Sequence, residues 1–210
     1  MKFADKLYYK HPNWGIKNMM LHISIVTAIA YVLQYIFRSN IISFLYLDRA
    51  AVFSGQIWRV LTFIFVPPST GILWLLLALY FYYFIGSTLE ATWGTLKFNI
   101  YYLLSMLGTI AAALLFGGVY TGVYVNLSMF LAFAYLYPDH QVLLFFIIPV
   151  KMKYLAYVDV ALLAYSFIMG GLSTKLAIIA SLTGFLVFFG GDLINRIKSW
   201  IRRQKYKNRY

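Results

Sequence analysis

The chain has 210 residues, of which 62% are hydrophobic, 20% aromatic and only 11% charged, with a mean hydropathy of +0.75. A soluble domain carries about a quarter charged residues, and a single core of this size cannot hide so much apolar surface, so a soluble globular protein is excluded and lipid becomes the natural solvent. The net charge of +12 is gathered beside apolar segments, which favours anionic lipid headgroups as partners over nucleic acid, while the absence of cysteine excludes disulfides, thiolate metal sites and cysteine nucleophiles.

Residues 1–18 form a basic tail holding Lys2, Lys6, Lys10 and Lys17. Its polar stretch is long and no small-x-small site follows the first apolar run, which argues against a cleavable signal. The membrane domain is expected over 19–192, with a second basic tail over 193–210. Hydropathy predicts a first span at Met19–Phe37. The segment Asn40–Thr70 is apolar but broken by Asp48, Arg49, Arg59 and Pro67-Pro68. It suits a partly embedded, interfacial hairpin of short helices. The second span is predicted at Gly71–Ile85, with an option to Leu89, the third at Phe98–Phe116 and the fourth at Tyr124–Tyr137. Val142–Val150 is apolar but too short to cross, and reads as a surface-lying connection. The fifth span is predicted at Tyr154–Met169 and the sixth at Leu176–Phe189. Spans two, four and six are short for a bilayer, which calls for local thinning or polar neighbours to match them.

Six spans put both tails on one side. Fourteen of the 18 Lys and Arg then share that side, and Arg38, Arg49, Arg59 and Lys175 face the other. The positive-inside rule makes the first side cytoplasmic. Tyr8, Tyr9, Trp14, Trp93, Tyr101, Tyr102 and Trp200 fall near span ends, as interfacial aromatic belts do. Asp159 is the one acid inside a predicted span. Lys151 and Lys153 are its nearest counter-ions in the sequence, and water is the other means of satisfying it.

Several local patterns occur together. Trp58-Arg59 lies in the first loop, Gly86, Leu89, Glu90 and Gly94 follow one another at the end of span two, Tyr137-Pro138 ends span four, and Pro149-Val150-Lys151 precedes span five. This set resembles the rhomboid superfamily, Derlins included, over roughly residues 55–190. The resemblance implies an all-α, six-span rhomboid-like bundle with a partly embedded first loop, and a structural role for Trp58, Arg59, Gly86, Glu90, Gly94, Pro138 and Pro149. Glu90 reads as a brace for the turn after span two.

The chemistry of the resemblance fails. An active rhomboid carries Gly-x-Ser-Gly at the start of span four and a His in span six, with a His and an Asn on span two. By family spacing the nucleophile position is Val123, within Thr121-Gly122-Val123-Tyr124. The base position is Ser181, and the span-two positions are Trp74 and Ala78. The histidines are His11, His22 and His140, and none lies in span two or six. No catalytic residue, cofactor or metal is therefore assigned. The resemblance implies a pseudoprotease that binds transmembrane client segments and deforms the bilayer, with Asn126, Ser128 and Ser181 as candidates for a client-facing cavity. For Asn126 and Ser128 the alternative is plain hydrogen bonding within the bundle. Two rival functions remain: a serine protease with a rearranged Ser128–His22 site, and a small transporter. The lack of a signal peptide and of a retention motif leans toward a bacterial plasma membrane.

Overall fold

The computed structural model describes residues 14–37, 40–68, 71–144 and 148–207. The expectations for Lys2, Lys6, Lys10, Tyr8, Tyr9, Arg38 and Arg209 lie outside the described residues. Helix α1 spans Met19–Phe37, with the bounds hydropathy predicts. The first loop then folds into a 3-10 turn at Ile41–Phe44, strand β1 at Leu47–Asp48, short helices α2 (Arg49–Phe53) and α3 (Arg59–Thr62), and a second 3-10 turn at Phe63–Phe65. Helices α4 (Ile72–Trp93) and α5 (Thr95–Phe116) follow, then β2 (Val119–Tyr120), α6 (Val123–Leu136), strands β3 (Gln141–Leu144) and β4 (Ile148–Lys151), α7 (Met152–Met169), α8 (Leu172–Ser181) and α9 (Thr183–Lys207).

Helix α4 runs well past the predicted end of span two. Ser87 and Thr88 both donate back to the Phe84 carbonyl, at 3.1 and 2.8 Å, and Thr92 donates to that of Thr88 at 2.7 Å. These hydroxyls are satisfied by their own helix, so polar residues do not end it. What ends it is Gly94, with φ of 84°, a conformation a side chain resists. The same glycine opens α5. Span two is thus 22 residues long, about 33 Å, and not short.

Among the described residues four helices, α1, α4, α5 and α7, are long and apolar enough to cross a membrane, and the chain is an integral membrane protein. Taken together, α8 and the start of α9 supply a fifth such length, bent by 50°. Two close approaches to α5 flank the bend. Gly108 lies against the carbonyl of Ala180, and a Cβ on Gly184 would stand 2.8 Å from the Tyr101 carbonyl oxygen. Helix α6 has 14 residues, about 21 Å, which is less than the hydrocarbon thickness of about 30 Å. The expected six spans thus appear as four or five helices of spanning length together with this short one.

The core is built on α5 and α6. Helix α6 is buried almost all round from Val125 to Ala134, the mark of a helix enclosed by others. Tyr101 and Tyr102 do not sit in an interfacial belt as predicted. Both are fully buried, because α6 offers their hydroxyls partners: Ser128 for Tyr101 and Asn126 for Tyr102. Trp93 also turns inward, stacking on Tyr101 at 5.2 Å and on Phe188 at 5.6 Å. Only Met152 is buried in α7.

The stretch read as a surface connection is an antiparallel hairpin, β3 with β4, pairing Gln141 with Lys151 and Leu143 with Pro149. Pro149 fits there because a two-stranded ribbon has a free edge for a residue without N–H. The amide of Met152 donates to the His140 carbonyl at 2.8 Å and that of Lys153 to the Pro138 carbonyl at 3.0 Å, which fixes the ribbon to the end of α6. On the opposite side of the molecule, β1 pairs with β2, Leu47 opposite Tyr120, tying the first loop to the α5–α6 connection.

Candidate functional site

Arg59 organises the first loop. It is buried, and its guanidinium donates to the Gln56 side chain at 2.7 Å and to the carbonyls of Ser43 and Tyr46, both at 2.9 Å. The planar fork thus ties the turn that carries Gln56 and Arg59 to the stretch Ser43–Tyr46, with donors set at fixed angles that a lysine ammonium does not offer. Trp58, beside it, is half exposed and donates its indole N–H to the Phe44 carbonyl at 3.3 Å. The loop therefore has a hydrogen-bonded interior and an apolar outer face bearing Phe44, Phe53, Ile57, Trp58 and Leu61.

Glu90 and Gly86 act on the chain that enters α1. The Glu90 carboxylate accepts from the backbone N–H of Asn18 at 3.0 Å and from the Thr95 hydroxyl at 2.9 Å. Asn18 holds a positive φ of 52°. One turn earlier on α4, Gly86 lies against the side chain of Met20. Asn99 completes the clamp, exchanging two bonds with the backbone of Ile16 at 3.0 and 3.1 Å. Its role has no signature in the sequence, since its partner stands 83 positions away.

A cavity of about 670 Å³ lies between α4, α6 and α7. Its walls include Trp74 and Ala78 from α4, Val123 and Asn126 from α6, and Val158 and Asp159 from α7. Three of the four positions where the rhomboid resemblance would put chemistry thus border one space, and they carry an indole, a methyl and an isopropyl group. Among the described residues the lining contains no Ser, Thr or Cys. Trp74, Tyr80, Val158 and Leu162 frame the mouth, each more than half exposed. His140 closes the end near the hairpin, its ring stacked on Phe84 at 5.6 Å and set edge-on to Phe133.

The three cavity candidates from the sequence fall in different places. Asn126 lines the cavity, and its amide oxygen accepts from the Tyr102 hydroxyl at 3.1 Å. Ser128 is fully buried and outside the lining. Its hydroxyl is bonded to that of Tyr101 at 2.7 Å, and its carbonyl takes the same Tyr101 hydroxyl at 2.7 Å. Ser181 ends α8, and its side chain lies outside the described residues. His22 is exposed on α1 with its Nδ1 bonded to the Asn18 carbonyl at 2.9 Å, so the structure does not bring it to Ser128.

Asp159 does not pair with either of the lysines that the sequence offered it. Lys151 and Lys153 both turn to Asp139 instead, at 3.5 and 2.9 Å. Those two ammonium groups, the Lys153 hydrogen bond above all, hold the Asp139 carboxyl below its ordinary range. Asp159 is left on the cavity wall with its Oδ2 buried and unbonded among the described residues. No group of three or more His, Cys, Asp or Glu side chains among the described residues converges to hold a metal ion.

No curated protein matches the chain by sequence. The model of the Der1-like family matches residues 16–197, the whole of the expected membrane domain with the residues just before it, and is consistent with the rhomboid-like resemblance. The chain belongs to the Der1-like family.

Proposed function

We propose that the protein is a rhomboid-like pseudoprotease, which binds transmembrane segments of client proteins in the cavity between α4, α6 and α7 and deforms the bilayer around it. The observation that carries this reading is the cavity itself. It occupies the ground where rhomboid chemistry would stand, opens toward lipid through an apolar mouth, and is walled at those positions by Trp74, Ala78 and Val123. The rhomboid nucleophile position in that wall is Val123, which has no hydroxyl, and the described lining contains no Ser or Thr beside the His140 imidazole or the Asp159 carboxylate; serine-type catalysis requires hydroxyl and base within hydrogen-bond reach.

Deformation comes from the mismatch of α6 and from the bent α8–α9 pair. A short span draws the bilayer thinner around it, and a thinner bilayer lowers the cost of holding or moving a client helix with polar residues. The apolar face of the first loop adds to this by entering the outer leaflet. The chain crosses six times with both tails on the cytoplasmic side, where their lysines and arginines meet anionic headgroups.

A photo-crosslinker at Asn126 in protein reconstituted into native lipid tests the reading. Capture of transmembrane segments from membrane proteins is the expected result. Adducts with lipid alone, hydrolysis of a peptide bond, or covalent labelling of Ser128 by a fluorophosphonate would overturn it.

A further inference from the structure

Asp159 sits seven residues into α7, about 10 Å along the helix axis. That places it about two turns from the start of the helix, within the segment read as the fifth span. Its Oδ2 is buried and has no hydrogen-bond partner among the described residues, and the lysines nearest in sequence are committed to Asp139. Facing it across the cavity are Asn126 and Tyr82, and the Tyr82 hydroxyl is already engaged with Asn126. His140 is the one other titratable side chain in the lining apart from tyrosines, and its ring is held at the far end by Phe84 and Phe133. The cavity thus presents one carboxylate in a mostly aromatic and aliphatic wall, whose other polar side chains are Asn126, Gln141, His140 and the hydroxyls of Tyr80 and Tyr82.

An intramembrane acid without a partner is costly, and such groups stand where a ligand or a path makes use of them. The mouth of this cavity is apolar, framed by Trp74, Tyr80, Val158 and Leu162, so its occupant arrives from the bilayer and not from water. An ammonium or guanidinium group on a membrane helix carries the matching penalty. Pairing the two relieves both at once, with the charge-assisted hydrogen bond that an isolated carboxylate lacks.

We propose that the cavity selects transmembrane segments bearing a Lys or Arg about two turns inside the bilayer, whose cationic head pairs with Asp159. This rests on the client-binding reading above and adds the residue chemistry that the client must carry. Segments of this kind are marginal as spans, so the site would sort helices by the same feature that makes them unstable in lipid.

The test uses the full chain in liposomes with a photo-crosslinker at Val158, on the mouth. The probes are synthetic Leu-Ala helices of about 20 residues carrying Lys, Gln or Leu at the depth of Asp159. Capture of the Lys helix is expected to exceed that of the Leu helix by about tenfold. Asp159→Asn should bring the Lys helix down to the level of the Leu helix, while Asp159→Glu should keep the preference. Equal capture of all three helices by the native chain would overturn the proposal and leave client binding standing. Capture of none would overturn both. Loss of the Leu helix as well in Asp159→Asn would make Asp159 a structural support of the cavity and overturn the selection. Displacement of the Lys helix by phosphatidylethanolamine, with its own ammonium group, would reassign the acceptor to lipid and overturn it too.

Discussion

Gly86 and Glu90 stand four residues apart on α4 and so share one face, and that face meets the entry to α1. Gly86 admits Met20 where any side chain would collide, and Glu90 receives the Asn18 amide. The spacing of the motif thus encodes one docking surface. Glu90→Gln keeps an acceptor but loses the charge. It is expected to lower unfolding free energy by about 1–2 kcal/mol, read as a fall in melting temperature in mild detergent, with Glu90→Ala falling further. Gly86→Ala forces Met20 aside and costs about 1–3 kcal/mol. Added to Met20→Ala it should cost less than the sum of the two single changes, because the smaller neighbour makes room; additive losses would place the strain elsewhere.

At the scale of elements, the β3–β4 hairpin depends on surface charge. Asp139 draws Lys153 and Lys151 together at the end of α6. Its carboxyl is held below the ordinary value, so the favourable contribution is complete above the unfolded-state pKa and fades as pH falls through the folded one. The amides of Met152 and Lys153, bonded to His140 and Pro138, should keep full protection from hydrogen exchange between about pH 5 and 8 and lose it only in acid, before α5 and α6 do. Asp139→Asn should remove that acid dependence.

The elements also mark what was legible in the chain. Runs such as Met19–Phe37 announce themselves because lipid demands continuous apolarity, and their ends follow. The end of α4 did not, since Ser87, Thr88 and Thr92 look like a turn until their hydroxyls are seen to bond within the helix. Tyr101 and Tyr102 carry the composition of an interfacial belt, and only α6, more than twenty positions on, makes them core. In the candidate site, Asn126 was readable as a polar residue in a span. That Ser128 turns to Tyr101 while Asn126 faces the cavity depends on which helix lies against each, which no local spacing records.

For the molecule as a whole, the orientation of the tails is open to direct measurement. The chain has no cysteine, so each cysteine introduced reports alone. Lys6→Cys and Lys205→Cys should both react with an impermeant maleimide from the cytoplasmic side only, and Gly171→Cys, between α7 and α8, from the opposite side. Tails labelled from opposite faces would mean an odd number of crossings, with either α6 or the bent α8–α9 pair turning back inside the bilayer.

Met152 is the one fully buried residue of helix α7, and Leu155, Ala156 and Leu163 pack only partly against the core, so much of the helix has lipid for a neighbour. Cohesion between this helix and the rest is therefore a property of the surrounding solvent as much as of the chain. The same polypeptide would be a tighter object in one surfactant than in another, and one whole wall of the cavity is the part that would yield.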